Sequence, residues 1–120
     1  MRFKSGVVII APSELELDTL RVVDVVTWEV LHREAFVTTY RDGNHSENSK
    51  HYWRPNEGVR FAIDLRTWRD VTNAMLGQLP RTKREEYVRE LRVALARTRL
   101  QGFSVVLERT HVHVQYPRPS

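Results

Sequence analysis

Apolar residues recur at helical spacing from residue 13 to about residue 33. Leu20, Val23 and Val26-Thr27 form one stripe that Leu31 continues, while Arg21, Asp24 and Glu29 fall largely elsewhere. Pro12 precedes Ser13, and Ser13 with Glu16 three residues on fits a capping box, which satisfies two otherwise orphaned backbone donors. The period then changes. Residues 34–40 (EAFVTTY) alternate, are rich in strand formers and run into the turn signal Asp42-Gly43-Asn44. From Gly43 to Gly58 the chain is polar and aperiodic, and a loop of that length in a compact domain is usually functional or mobile. Strand character returns at residues 59–65 (VRFAIDL). Thr67 then fits an N-cap, with Asp70 at the capping-box position, for a short helix ending near Gly77. Thr82 and Glu85 repeat the device for a further helix whose core stripe is Val88, Leu91 and Leu95 and whose stop is Gly102. Residues 103–116 are β-rich with an interruption around Arg109-Thr110, and the Pro117–Ser120 tail reads as frayed. Near the start, Val7 to Ala11 is shorter than a signal peptide's hydrophobic region and reads as a buried first strand. This order of elements predicts a single α+β domain over residues 1–120, with helices packed on one face of a small, mostly antiparallel sheet.

Composition narrows the picture only in part. With 41% hydrophobic and 28% charged residues the chain is an ordinary globular one and not a disordered one. No stretch approaches the ~20 apolar residues of a membrane span. The absence of cysteine excludes disulfides and thiolate metal sites, so a bound zinc would have to be held by histidine and carboxylate. A formal charge of +4 favours an anionic partner, either nucleic acid or the acidic polymers and peptide stems of a bacterial wall. The basic residues are spread out, so a solvated surface explains them about as well. A nucleic-acid surface on residues 81–99 with Tyr52 and Trp53 is the weakest reading, because Glu85, Glu86 and Glu90 interrupt the positive face.

The candidate chemistry lies in two segments, SKHYWRPNEGVRFAIDL and LERTHVHVQY, which supply His51, Asp64, Glu108, His111 and His113. Neutral imidazoles with a carboxylate form the ligand set of a catalytic zinc site. Alternation places His111 and His113 on one strand face and Val112 and Val114 on the other. Alone, such a pair reads as two histidines on a half-exposed strand. Glu108 changes the balance, since a metal-bound water needs a nearby carboxylate to take its proton. Residues 108 and 111 have opposite parity, so bringing them together requires a bulge or turn at Arg109-Thr110. Taken alone, Asp64 reads as a capping or ion-paired carboxylate near Arg66 and Arg69, and His51 as a loop histidine.

The pattern S-x-H, then A-x-D, then E-x-x-H-x-H resembles the zinc peptidases of the D-alanyl-D-alanine carboxypeptidase type. That family includes VanX- and VanY-like enzymes and phage L-alanyl-D-glutamate endolysins, and shares its zinc site with the hedgehog signalling domain. The likeness is to short phage-encoded members, on Thr38-Thr39-Tyr40-Arg41-Asp42-Gly43-Asn44-His45 followed by Ser49-Lys50-His51-Tyr52. It covers roughly residues 34–66 and 103–116. The resemblance implies a hedgehog/DD-peptidase-like fold, His51 and Asp64 as the first two zinc ligands and Glu108 as general base. The third ligand is His113 by analogy with members carrying H-x-H, and His111 by analogy with members carrying a bare E-x-x-H. Arg41 sits where the family places a cation that stabilises the oxyanion, with His111 able to assist, and a plain turn arginine is the other reading.

Two departures stand out. Twelve residues (52 through 63) separate His51 from Asp64 where the family usually has about six, and Arg60 stands at the family's glycine position. The added segment around Trp53-Arg54-Pro55-Asn56-Glu57 reads as a substrate-facing flap, as a tolerated excursion, or as the mark of a copy that no longer binds zinc; His45 is the alternative loop ligand. The expectation is a monomeric zinc metallopeptidase, a hydrolase acting on peptidoglycan stem peptides, with neither nucleic acid nor membrane as partner. As a bacteriophage endolysin without a signal peptide it would stay in the host cytoplasm until lysis and then act at the cell wall. The competing expectation is a non-catalytic zinc-binding or structural virion module on the same fold.

Overall fold

A computed structural model describes residues 1–4, 13–39, 60–69 and 77–118. Within them the chain runs β1 (Arg2–Phe3), α1 (Glu14–Leu31), β2 (Phe36–Thr39), β3 (Phe61–Arg66), α2 (Arg81–Leu95), β4 (Ser104–Leu107) and β5 (His111–Tyr116). The strands form one sheet in the order β1-β2-β3-β5-β4. Only β1 and β2 pair in parallel, across the α1 crossover, and the other neighbours are antiparallel. The result is an α+β architecture with a mixed, mostly antiparallel sheet.

The start of α1 follows its capping box. Ser13 Oγ accepts the Glu16 N–H at 3.1 Å, and Glu16 Oε2 accepts the Ser13 N–H at 2.9 Å. That pairing lets Glu16 sit buried at the helix start. The helix ends at His32, whose left-handed φ of 57° lets its N–H reach the Trp28 carbonyl at 3.0 Å. Arg33 then donates to the carbonyls of Trp68 (2.8 Å) and Arg66 (3.2 Å), fastening the end of α1 to the end of β3.

One hydrophobic cluster joins both helices to one face of the sheet. Leu20, Val23, Val26 and Val30 of α1 and Tyr87, Val88, Leu91 and Leu95 of α2 meet Val37, Ile63, Leu65, Val112 and Val114. The Tyr87 hydroxyl shares a hydrogen bond with that of Thr27, which itself donates to the Val23 carbonyl at 2.7 Å. Burial pushes the Tyr87 phenol well above its ordinary range, although the Thr27 bond opposes this. Leu91 is fully buried where the helices and sheet converge. Leu91→Ala is therefore expected to cost about 2–5 kcal/mol in a urea denaturation series. A loss below about 1 kcal/mol would mean that the neighbours collapse into the space.

Three local expectations are corrected. Thr67 is not a helix cap: its hydroxyl donates to Gln78 Oε1, and Trp68 forms a β-bridge with Gln78. Residues 70–76, the rest of that expected helix, lie outside the described residues, as does the strand expected at Val7 to Ala11. Thr82 lies inside α2, which starts one residue earlier behind Pro80, with no side-chain cap. Proline's fixed φ already suits the turn into a helix, so no hydroxyl is required. Gly102 does not end α2, which stops at Leu95; it takes φ 94° just before β4, where its carbonyl accepts the Arg118 N–H at 2.8 Å.

Alternation leaves the second face of the sheet to other residues. With Ile63, Leu65, Val112 and Val114 turned to the core, Asp64, Arg66, His111, His113 and Gln115 project from the opposite side.

Candidate metal centre

Antiparallel pairing of β3 with β5 sets Asp64 directly opposite His113 and Arg66 opposite His111. The two histidines thus flank one carboxylate. Asp64 Oδ1 lies 2.8 Å from His113 Nδ1 and 3.5 Å from His111 Nε2. The Asp64 side chain keeps 15% of its surface exposed, against 22% for His113 and 31% for His111, so the group is screened but reachable from solvent. Thr38 on β2 donates to the Asp64 carbonyl at 3.3 Å and steadies the strand at that point.

The protonation of His113 follows from its partners. Gln115 Nε2 donates to the Pro117 carbonyl at 3.3 Å, which turns Gln115 Oε1 toward His113 Nε2, 2.9 Å away. An ionised carboxylate only accepts, so both ring nitrogens of His113 face acceptors, and the state that satisfies both is the imidazolium. The hydrogen bond to Asp64 accordingly raises the His113 pKa above the ordinary imidazole value. Burial opposes the shift, and Gln115 and the charges of Asp64 and Glu108 add to it.

The β4–β5 hairpin resolves the parity conflict around Glu108. Leu107 pairs with Val112, and the Glu108 N–H donates to the His111 carbonyl at 2.9 Å, leaving Arg109-Thr110 as a two-residue turn. Residues of opposite parity thereby become cross-strand neighbours. Glu108 is exposed, and its charge is felt at His113. Thr110 Oγ1 lies 3.2 Å from His111 Nδ1.

Asp64, His111 and His113 are therefore brought together, and Glu108 adjoins His111 on the chain's last hairpin. His51, Arg41, the alternative His45 and the segment 53–59 lie outside the described residues. Thr38, from the Thr38-Thr39 pair of the motif, and Gln115, which no sequence motif marks, both belong to the cluster. For Gln115 a signal existed, since residues 111, 113 and 115 share parity.

Whether these groups suit a zinc ion turns on donor type and spacing. Among the described residues no three His, Cys, Asp or Glu side chains are arranged as a metal-holding group. Tetrahedral ligands at ~2.0–2.2 Å from zinc sit roughly 3.3–3.6 Å from one another. The 3.5 Å separation of Asp64 from His111 meets that, whereas the 2.8 Å contact with His113 is a hydrogen bond. Two imidazoles and a carboxylate suit zinc chemically, provided His113 gives up a proton and moves from Asp64 by about half an ångström.

The chain matches no family model, no curated protein and no solved structure. Among the described residues no helix is long and apolar enough to cross a membrane.

Proposed function

We propose that this chain is a zinc-dependent hydrolase that cleaves peptide bonds in peptidoglycan stem peptides, of the D-Ala-D-Ala carboxypeptidase or L-Ala-D-Glu endopeptidase type, with a hedgehog/DD-peptidase-like fold. The observation that carries the reading is the Asp64 carboxylate flanked by two imidazoles, with Glu108 next to one of them on the adjoining strand end. On this reading Asp64 and His113 hold the metal together with His51. Bound zinc would supply Lewis-acid polarisation of the scissile carbonyl and acidify a water. Glu108 takes the proton from the attacking water and passes it to the leaving amine. His111 or Arg41 donates to the oxygen on which negative charge develops. The same reading makes the chain a monomeric phage endolysin that meets its substrate at the wall after lysis.

One observation favours a second reading, a non-catalytic module on the same fold. Both ring nitrogens of His113 lie within hydrogen-bond distance of protein oxygens, Asp64 Oδ1 and Gln115 Oε1, an arrangement complete without any metal. Hydrolysis, measured together with metal content, separates the two. Purified protein dialysed against trace zinc is expected to hold one zinc per chain by elemental analysis and to release free D-alanine or stem-peptide fragments from purified peptidoglycan. Metal-free protein with no hydrolysis at any added zinc concentration would establish the second reading instead.

A further inference from the structure

The tip of the β4–β5 hairpin closes against the start of α2, and between them lies a cavity of about 370 Å³ lined by Gln78, Arg81, Arg84, Leu107, Glu108 and Arg109. Its volume falls within the ~300–1,000 Å³ of small-molecule sites. Three guanidiniums and one carboxylate border it, and the first turn of α2 adds no acidic side chain. Arg81 is partly offset by Glu85, 2.8 Å away, in an exposed pair that binds weakly. Arg84 differs. Its Nε donates to the Leu79 carbonyl at 3.0 Å, which fixes the guanidinium, and among the described residues its terminal nitrogens have no acidic partner. Arg109, in the hairpin turn, likewise has no acidic partner among the described residues.

The cavity walls are fastened to each other through Gln78. Its Oε1 accepts from the Thr67 hydroxyl, and its Nε2 donates to the Thr110 carbonyl at 3.3 Å. That amide ties the end of β3 and the approach to α2 to the hairpin turn that carries Arg109. Leu107 gives the same space an apolar patch. A guanidinium presents a planar fork that matches a carboxylate, and a pair of them beside an apolar surface suits a carboxylate attached to a small aliphatic group.

We propose that this cavity is the subsite for the free carboxylate of an acidic peptide, with Arg84 and Arg109 as the binding groups and Gln78 as a positioning residue. The inference rests on the hydrolase reading for its choice of ligand, because Glu108, the residue that would move the proton, lines the same cavity. An anchored carboxylate would then fix the scissile bond in register with Glu108.

Calorimetric titration of the whole chain with N-acetyl-L-alanyl-D-glutamate, and with the same peptide carrying both carboxyls as amides, tests this. Wild type is expected to bind the acid about ten- to a hundredfold more tightly than the diamide, the range of charge-assisted hydrogen bonds. The Arg84→Gln/Arg109→Gln double variant is expected to lose that preference with its melting curve unchanged. Equal affinity for acid and diamide, binding of neither, or a preference surviving in the double variant would overturn the subsite. Inorganic phosphate binding more tightly than the acid would also overturn the peptide assignment. Repeating the titration in chelator separates the two claims. Acid preference that persists in chelator, in a protein that without chelator neither holds zinc nor hydrolyses peptidoglycan, supports the subsite while the hydrolase reading fails, and hydrolysis indifferent to amidation does the reverse.

Discussion

Glu108→Gln is expected to leave zinc content and fold intact and to lower the rate of peptide hydrolysis by about 10²–10⁴-fold. The substitution preserves shape but removes the group that can accept a proton from water. Its structural cost should be small for two reasons. The Glu108 side chain is exposed, and the bond that closes the hairpin runs from its backbone N–H to the His111 carbonyl, which glutamine retains. Initial rates on purified muropeptides, with zinc measured on the same samples, give the answer. Parallel loss of zinc and activity would make Glu108 a ligand, and an unchanged rate would assign the proton transfer to another group. Neither result could be blamed on unfolding if far-ultraviolet circular dichroism matches wild type.

How much of this was readable from the chain depends on the range over which each feature is determined. The start of α1 was legible because Ser13 and Glu16 satisfy each other's backbone within one turn. The shared face of His111 and His113 was legible because strand parity is local. Thr67 and Thr82 carry the same capping signature as Ser13, and neither caps a helix. The Thr67 hydroxyl is drawn to Gln78, eleven residues on, and Pro80 has already set the start of α2. A local motif cannot register such competitors. The placing of Glu108 beside His111 hung on a two-residue turn, where one residue more or less would reverse the faces. Least legible was the raised pKa of His113. It depends on Asp64, 49 residues away, and on which way the Gln115 amide is turned by Pro117.

Asp64→Ala is expected to abolish zinc binding and, in the metal-free chain, to weaken the fold in a pH-dependent way. The metal loss follows because Asp64 is the carboxylate that both imidazoles approach, and alanine removes the negative charge that favours a divalent cation there. The stability effect follows from the Asp64–His113 bond, a partly buried hydrogen bond to a charged group worth about 1.5–3 kcal/mol. Its sign with pH is fixed by the direction of the His113 shift. Because the folded-state pKa is raised, folding favours the protonated ring. The stabilisation is fully present below the unfolded imidazole value of ~6.5 and is lost as pH rises through the higher folded value. Urea denaturation in chelator at about pH 5.5 and pH 9 should therefore show a large deficit for the variant at the first pH and a much smaller one at the second. A deficit equal at both values would mean that Asp64 contributes through packing and not through a charged His113. Zinc retained by the variant at full stoichiometry would remove Asp64 from the metal site, and with it the principal support for the hydrolase.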